Sequence, residues 1–124
     1  MKDKYDITNA ELEIMQILWD NGACGLTEIL SALDQTKKRN KNTVKTLIYR
    51  LVDKGSIISQ KNNSIDAVYL PTINERDYLA KANKSFLKNI YKGNIKKLLL
   101  NFVEDETVSK EELQSLVDLL EKEE

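Results

Sequence analysis

Apolar residues recur along the chain with two periods, and the change between them divides it. From Ile7 to Trp19 the spacing is helical. Leu12, Met15, Leu18 and Trp19 follow at three- and four-residue intervals with Ile14 beside them, the stripe of a helix that buries one face. Thr8-Asn9-Ala10-Glu11 reads as a capping box, with Thr8 at the N-cap and Glu11 at the third helical position, and Ile7 and Leu12 take the flanking staple positions. Asn21-Gly22 stops this helix. A second helix starts near Gly25, carries Glu28 in its first turn and buries Leu26, Ile29, Leu30 and Leu33; residues 34–40 are a polar connection. The third helix runs from about Lys41 to Lys54. Val44, Leu47, Ile48 and Leu51 form its stripe, Val52 flanks it and Gly55 closes it.

The period then drops to two. Residues 56–61 and 65–70 are short β-like runs on either side of Asn62-Asn63-Ser64, and Pro71 ends the second. Three short helices followed by a hairpin is the order of a winged helix-turn-helix. Helical spacing resumes beyond it. Asn74 caps a helix with Asp77 three residues on, and Tyr78, Leu79, Ala82, Phe86, Ile90 and Tyr91 form its apolar face as far as Gly93-Asn94. A short helix over Ile95–Val103 carries Leu98, Leu99 and Phe102, and the acidic run 104–106 breaks it. Ser109-Lys110-Glu111-Glu112 is a second capping box, with Val108 and Leu113 as its staple. Leu113, Leu116, Val117 and Leu120 make the last stripe. Short amphipathic helices do not stand alone in water. These faces therefore dock, either back on the first module or on a second copy, and the second copy is favoured because twofold homodimers are the commonest oligomer. The fold class expected is mainly α with a small β-hairpin: a winged helix-turn-helix domain over residues 1–72 and a helical dimerisation tail over 73–124.

Composition narrows the chemistry. The 124 residues include one cysteine and no histidine. A disulfide within the chain is therefore excluded, a Cys/His zinc site lacks ligands, and no imidazole is present for acid–base or nucleophilic catalysis. Paired carboxylates such as Glu11 with Glu13 sit at helix starts, where the dipole favours them. No catalytic constellation, metal site or cofactor motif is legible, and the chain does not read as an enzyme. No apolar run approaches the roughly 20 residues of a membrane span, and the N-terminus lacks the apolar core of a secretory signal, so a cytoplasmic location is expected. Cys24, between the first two helices, reads as a small buried hydrophobe, with a redox switch as the sharper alternative.

The net charge of −1 conceals strong segregation. Residues 1–35 carry −5, 36–61 carry +7, 62–80 carry −2, 81–103 carry +6 and 104–124 carry −7. The lysines of 81–97 read as solvated helix faces. The +7 block coincides with the third helix, whose polar side presents Asn42, Thr43, Lys45, Thr46, Tyr49 and Arg50. Thr43, Thr46 and Arg50 share one face, and Lys45 and Tyr49 lie beside them. Short hydrogen-bonding groups and long cations near a helix N-terminus suit entry into the DNA major groove. Asparagine pairs bidentately with adenine, a threonine methyl meets the thymine methyl, and lysine or arginine reaches guanine or phosphate. Lys41 and Lys54 at the two ends of the helix, and Lys61 and Asn62 at the hairpin tip, complete the candidate DNA-binding set. Lys37 and Lys38 are candidate phosphate contacts. The bland alternative is an ordinary basic surface helix, and the alternative function is a winged helix that docks another protein.

The runs Ile7-Thr8 … Ala10-Glu11 … Ile14-Met15 … Leu18-Trp19, Asn42 to Leu51 followed by Lys54-Gly55, and the wing ending in Tyr69 resemble the BlaI/MecI/CopY family of bacterial repressors. The tail, Phe86-Leu87 … Tyr91-Lys92-Gly93 … Leu98 … Leu100-Asn101-Phe102-Val103, is similar to the β-lactamase and methicillin-resistance branch. The resemblance covers essentially the whole chain. Asn42 stands where family members often have lysine, and Lys45 where they often have arginine. The paired C-terminal cysteines of the copper-responsive branch are missing, which argues against copper sensing.

The resemblance implies a homodimeric repressor of β-lactam resistance genes that binds a dyad operator with TACA/TGTA-like half-sites. It further implies inactivation when a membrane sensor with a cytosolic zinc protease responds to β-lactam and the tail is cut. The bond matched is Asn101–Phe102. Cutting there would separate the last helix, 109–122, from the rest. The residues expected to pair the copies are Tyr78, Phe86, Ile90, Tyr91, Leu98, Leu99, Phe102, Leu113, Leu116 and Leu120.

Overall fold

A computed structural model describes residues 3–34, 39–61 and 67–122; side chains from Leu120 onward lie outside the described set. The elements in order are α1 (Asn9–Asn21), β1 (Cys24–Gly25), α2 (Leu26–Asp34), α3 (Lys41–Lys54), β2 (Ile57–Lys61), β3 (Ala67–Pro71), α4 (Glu75–Tyr91), α5 (Ile95–Glu104) and α6 (Lys110–Lys122). They group into two compact units, 1–79 and 80–124.

The first unit is a three-helix cluster closed by a small antiparallel sheet of order β1-β3-β2. Its dry core takes the stripes of all three helices: Ile14, Met15 and Leu18 from α1, Ile29 and Leu33 from α2, and Val44, Leu47, Ile48 and Leu51 from α3. Ile57, Ile73 and Cys24 complete it, and every one of these side chains is 5% exposed or less. Each helix thus buries the face that its apolar spacing marks, and the hydrophobic term holds the module together.

The capping box at Thr8 forms in both directions. The Thr8 amide donates to Glu11 Oε1 at 3.0 Å and the Glu11 amide to Thr8 Oγ1 at 3.2 Å. Gly55 closes α3 in the left-handed region at φ 84°. Two features are additional to the sequence pattern. Asn40 caps α3, its side chain accepting from the Asn42 amide at 2.8 Å. A two-residue strand, β1, pairs Cys24 with Tyr69 and Gly25 with Val68, which makes β3 the central strand. β3 continues one residue past the expected end, since Pro71 pairs with Ile57. The turn expected at Asn62-Asn63-Ser64 lies outside the described residues.

Tyr78, expected among the residues that pair two copies, packs instead within the first unit. Its ring centroid lies 5.6 Å from that of Trp19, whose indole N–H donates to the Ile73 carbonyl at 2.9 Å. The foot of α4, capped by Asn74 through the Asp77 amide at 2.8 Å, is therefore anchored by aromatic packing.

The second unit holds the rest of α4 with α5 and α6. Asn94 caps α5 through the Lys97 amide at 3.1 Å, and the Ser109/Glu112 capping box forms in both directions at 3.2 and 3.1 Å. No described side chain from 80 to 119 is buried.

Candidate nucleic-acid interface

The buried stripe of α3 turns its opposite side to solvent. Lys41, Asn42, Thr43, Lys45, Thr46, Tyr49 and Arg50 are all exposed, Tyr49 at 70%. The Thr46 hydroxyl donates to the Asn42 carbonyl at 3.0 Å. Its one proton is thereby used, so the outward-facing groups are a methyl and an acceptor oxygen. That pair fits a thymine methyl beside a cytosine or adenine amino group. Asn42 and Thr43 occupy the first turn of α3, the end of the helix whose dipole favours anions.

Beside this face lies an open cleft of about 310 Å³. It is lined by Lys45, Ile48, Tyr49 and Val52 of α3 with Leu26, Ser59 of β2 and Tyr69 of β3. The recognition face and the wing strands thus share one concave wall, with Lys45 as its cation. Lys61, at the end of β2, is exposed. Asn62, Lys37 and Lys38 lie outside the described residues.

Arg39 and Lys54 of the +7 block are engaged internally. Arg39 Nε donates to Glu13 Oε2 at 2.8 Å, and this bond raises the guanidinium pKa further above its ordinary value. Lys54, expected on sequence in the DNA-facing set, is likewise engaged within the first unit. Its ammonium donates to the Asp6 carbonyl at 2.7 Å and pairs with Glu11, which is 1% exposed. Burial pushes the Glu11 pKa up, but hydrogen bonds from Lys54 and the Thr8 backbone, with the Lys54 charge, outweigh it and hold Glu11 below the usual glutamate value. Nothing in the local sequence around 54 signals this pairing, because its partner is 43 positions away.

Cys24 is buried, and burial followed by the Glu28 charge pushes its thiol pKa up. A thiol held protonated and inaccessible is a packing residue, so the redox alternative has no support in its surroundings. Among the described residues no group of three or more His, Cys, Asp or Glu is placed to hold a metal ion. Among them also, no helix is long and apolar enough to cross a membrane.

In the tail, Asn101 and Phe102 lie in the last turn of α5. Asn101 Nδ2 donates to the Tyr91 hydroxyl at 3.2 Å, and the Phe102 carbonyl accepts from the Thr107 and Val108 amides at 3.0 and 3.3 Å. Phe86 and Tyr91 pack with ring centroids 5.7 Å apart. The other expected pairing residues stand out from their helices: Phe86, Ile90, Leu99, Phe102 and Leu116 are 37–63% exposed. Tyr91, Leu98 and Leu113 are half-buried, and the Leu120 side chain is outside the described set.

Helix order, exposed α3 face and flanking wing together define a winged helix-turn-helix module of the DNA-binding kind. The chain belongs to the penicillinase repressor family, whose sequence model matches residues 7–122. The penicillinase repressor of Bacillus licheniformis is 34% identical over 122 residues, covering 98% of this chain and 94% of that protein. The methicillin resistance regulatory protein MecI of Staphylococcus aureus (strain N315) is 36% identical over 118 residues, covering 95% of each. The solution structure of monomeric B. licheniformis BlaI in complex with the blaP half-operator superposes with TM-score 0.53 at 33% identity, over 63% of this chain and 94% of that one. The family is one of transcriptional repressors rather than enzymes.

Proposed function

We propose that the protein is a homodimeric, sequence-specific repressor of β-lactam resistance genes, inactivated by proteolysis of its tail. The observation that carries the DNA-binding reading is the exposed polar face of α3 on a winged-helix frame. The same frame, at 33% identity, is the one seen on a half-operator. In this reading Asn42, Thr43, Thr46 and Tyr49 meet base edges, Lys41, Lys45, Arg50 and Lys61 serve phosphate or guanine, and Asn62 extends the wing. The working boundary falls at residue 72, with residues 73–124 pairing two copies so that two α3 helices address a dyad with TACA/TGTA-like half-sites. A cytoplasmic location follows from that role.

The exposed apolar faces of α4, α5 and α6 support the pairing. Linking two half-site contacts multiplies affinity through effective concentration, and separated copies lose that gain. Cleavage between Asn101 and Phe102 by a protease under a β-lactam-responsive membrane sensor would detach α6 and part of the covered face. The bond is inside a helical turn, and its carbonyl, that of Asn101, accepts from the Asp105 amide at 2.9 Å. A protease therefore needs local opening of 101–107 before it can cut.

Gel shifts on a duplex carrying the dyad, against a scrambled duplex of equal length, test the reading. Preference for the dyad, falling as salt rises, is expected. Equal affinity for both duplexes removes the claim of specificity.

A further inference from the structure

Behind the recognition helix lies a contact that the DNA-binding reading does not use. Glu11 is the only charged side chain buried among the described residues, and its partner, Lys54, is the last residue of α3. We propose that the Glu11–Lys54 pair positions α3 for base reading, so that Lys54 governs operator recognition without touching DNA. The proposal rests on the DNA-binding reading above.

Three anchors meet at this end of α3. The Lys54 ammonium joins Glu11 Oε1 and the Asp6 carbonyl, and the same Glu11 oxygen closes the cap of α1 on the Thr8 amide. Ser56, fully buried, donates its hydroxyl to the Lys4 carbonyl at 2.6 Å and its amide to the Leu51 carbonyl at 2.9 Å. The Thr72 hydroxyl donates to the Gly55 carbonyl. The C-terminal end of α3 is thereby tied to the N-terminal segment, to the first turn of α1 and to the end of the sheet.

The lever arm makes this matter for recognition. Thr46 lies eight residues before Lys54, about 12 Å along a helix. A tilt of roughly 5° about the anchored end moves Thr46 by about 1 Å, beyond the tolerance of a preorganised polar contact. Base-edge bonds are directional and would be lost. Phosphate contacts made by flexible lysines would follow the movement. Loosening the pair should therefore reduce discrimination between sequences and leave general affinity for DNA in place.

Full-length Glu11→Gln and Lys54→Met are compared with wild type on the dyad duplex and its scramble, across a salt series, well below each variant's melting temperature. Glutamine at 11 still accepts from the Thr8 amide, so the cap survives and only the charge is lost. The expected result is a dyad affinity about tenfold lower for each variant, with scrambled-duplex affinity and salt slope as in wild type. The double variant should lose no more than either single one. Several results overturn the proposal. One is a Lys54→Met protein that weakens on both duplexes alike with a salt slope smaller by about 0.9, the mark of a lost phosphate contact. Another is a Glu11→Gln protein that binds both duplexes more tightly because Lys54 is released. A third is unchanged dyad preference with only a lower melting temperature. Should Lys54→Met fail to fold, Glu11→Gln decides alone. A wild-type protein without dyad preference removes the DNA-binding reading itself, and this inference with it.

Discussion

The two units of the chain treat their apolar residues in opposite ways. In 1–79, the stripes of α1, α2 and α3 converge on one dry core with Ile57 and Ile73, and nothing large and apolar is left without cover on those stripes. In 80–124, helices with equally clear stripes leave no described side chain fully buried: Phe86, Ile90, Leu99, Phe102 and Leu116 remain substantially exposed. Similar periodicity therefore produces a self-sufficient module in one case and an open face in the other. The difference lies in how many stripes meet. Three helices and a sheet close around a core, whereas three short helices with charged linkers offer a surface. An apolar surface of this kind in water marks an interaction site, and the proposed occupant is a second copy.

Four substitutions or conditions probe that contrast, from the largest effect to the smallest. Ile14→Ala opens a cavity at the centre of the first unit and should cost about 2–5 kcal/mol in denaturant unfolding. Leu99→Asp with Leu116→Asp should leave the winged-helix core folded by circular dichroism, yet make the protein monomeric and weaken dyad binding on the order of 100-fold. Affinity for an isolated half-site should be unchanged in that variant. Thr46→Ala should cost about 1–3 kcal/mol at individual base positions in a panel of single-site operator variants, without altering oligomeric state. Acid supplies the smallest effect, again confined to the first unit. The Glu11 pKa is held down in the folded chain, so its stabilising contribution is complete above the unfolded value of about 4.3 and fades as pH falls through the lower folded value. Melting curves between neutral and acid pH should show this loss in wild type and less of it in Glu11→Gln.

Much of the first unit is legible in the sequence because its signals are local. The Thr8/Glu11 box, the Val44-Leu47-Ile48-Leu51 stripe and the Gly55 stop each lie within a few residues, and the structure uses them as the spacing implies. The polar face of α3 follows from the same periodicity. What local reading misses is made by distant partners. β1 has two residues and exists only because β3 supplies its hydrogen bonds. Lys54 reads as one more cation in a basic block, yet a carboxylate from α1 claims it. Tyr78 fits the α4 stripe but lies on Trp19. In the tail the stripes are legible, while the partner that would cover them is not encoded in any short pattern.

The most direct test of the central claim is the mass of the intact chain in solution, by sedimentation equilibrium over a wide concentration range. The account predicts a species of twice 14.3 kDa, dissociating only on dilution and shifted to monomer by Leu99→Asp with Leu116→Asp. A chain that stays monomeric at every concentration, and binds the full dyad no better than a half-site, would contradict it.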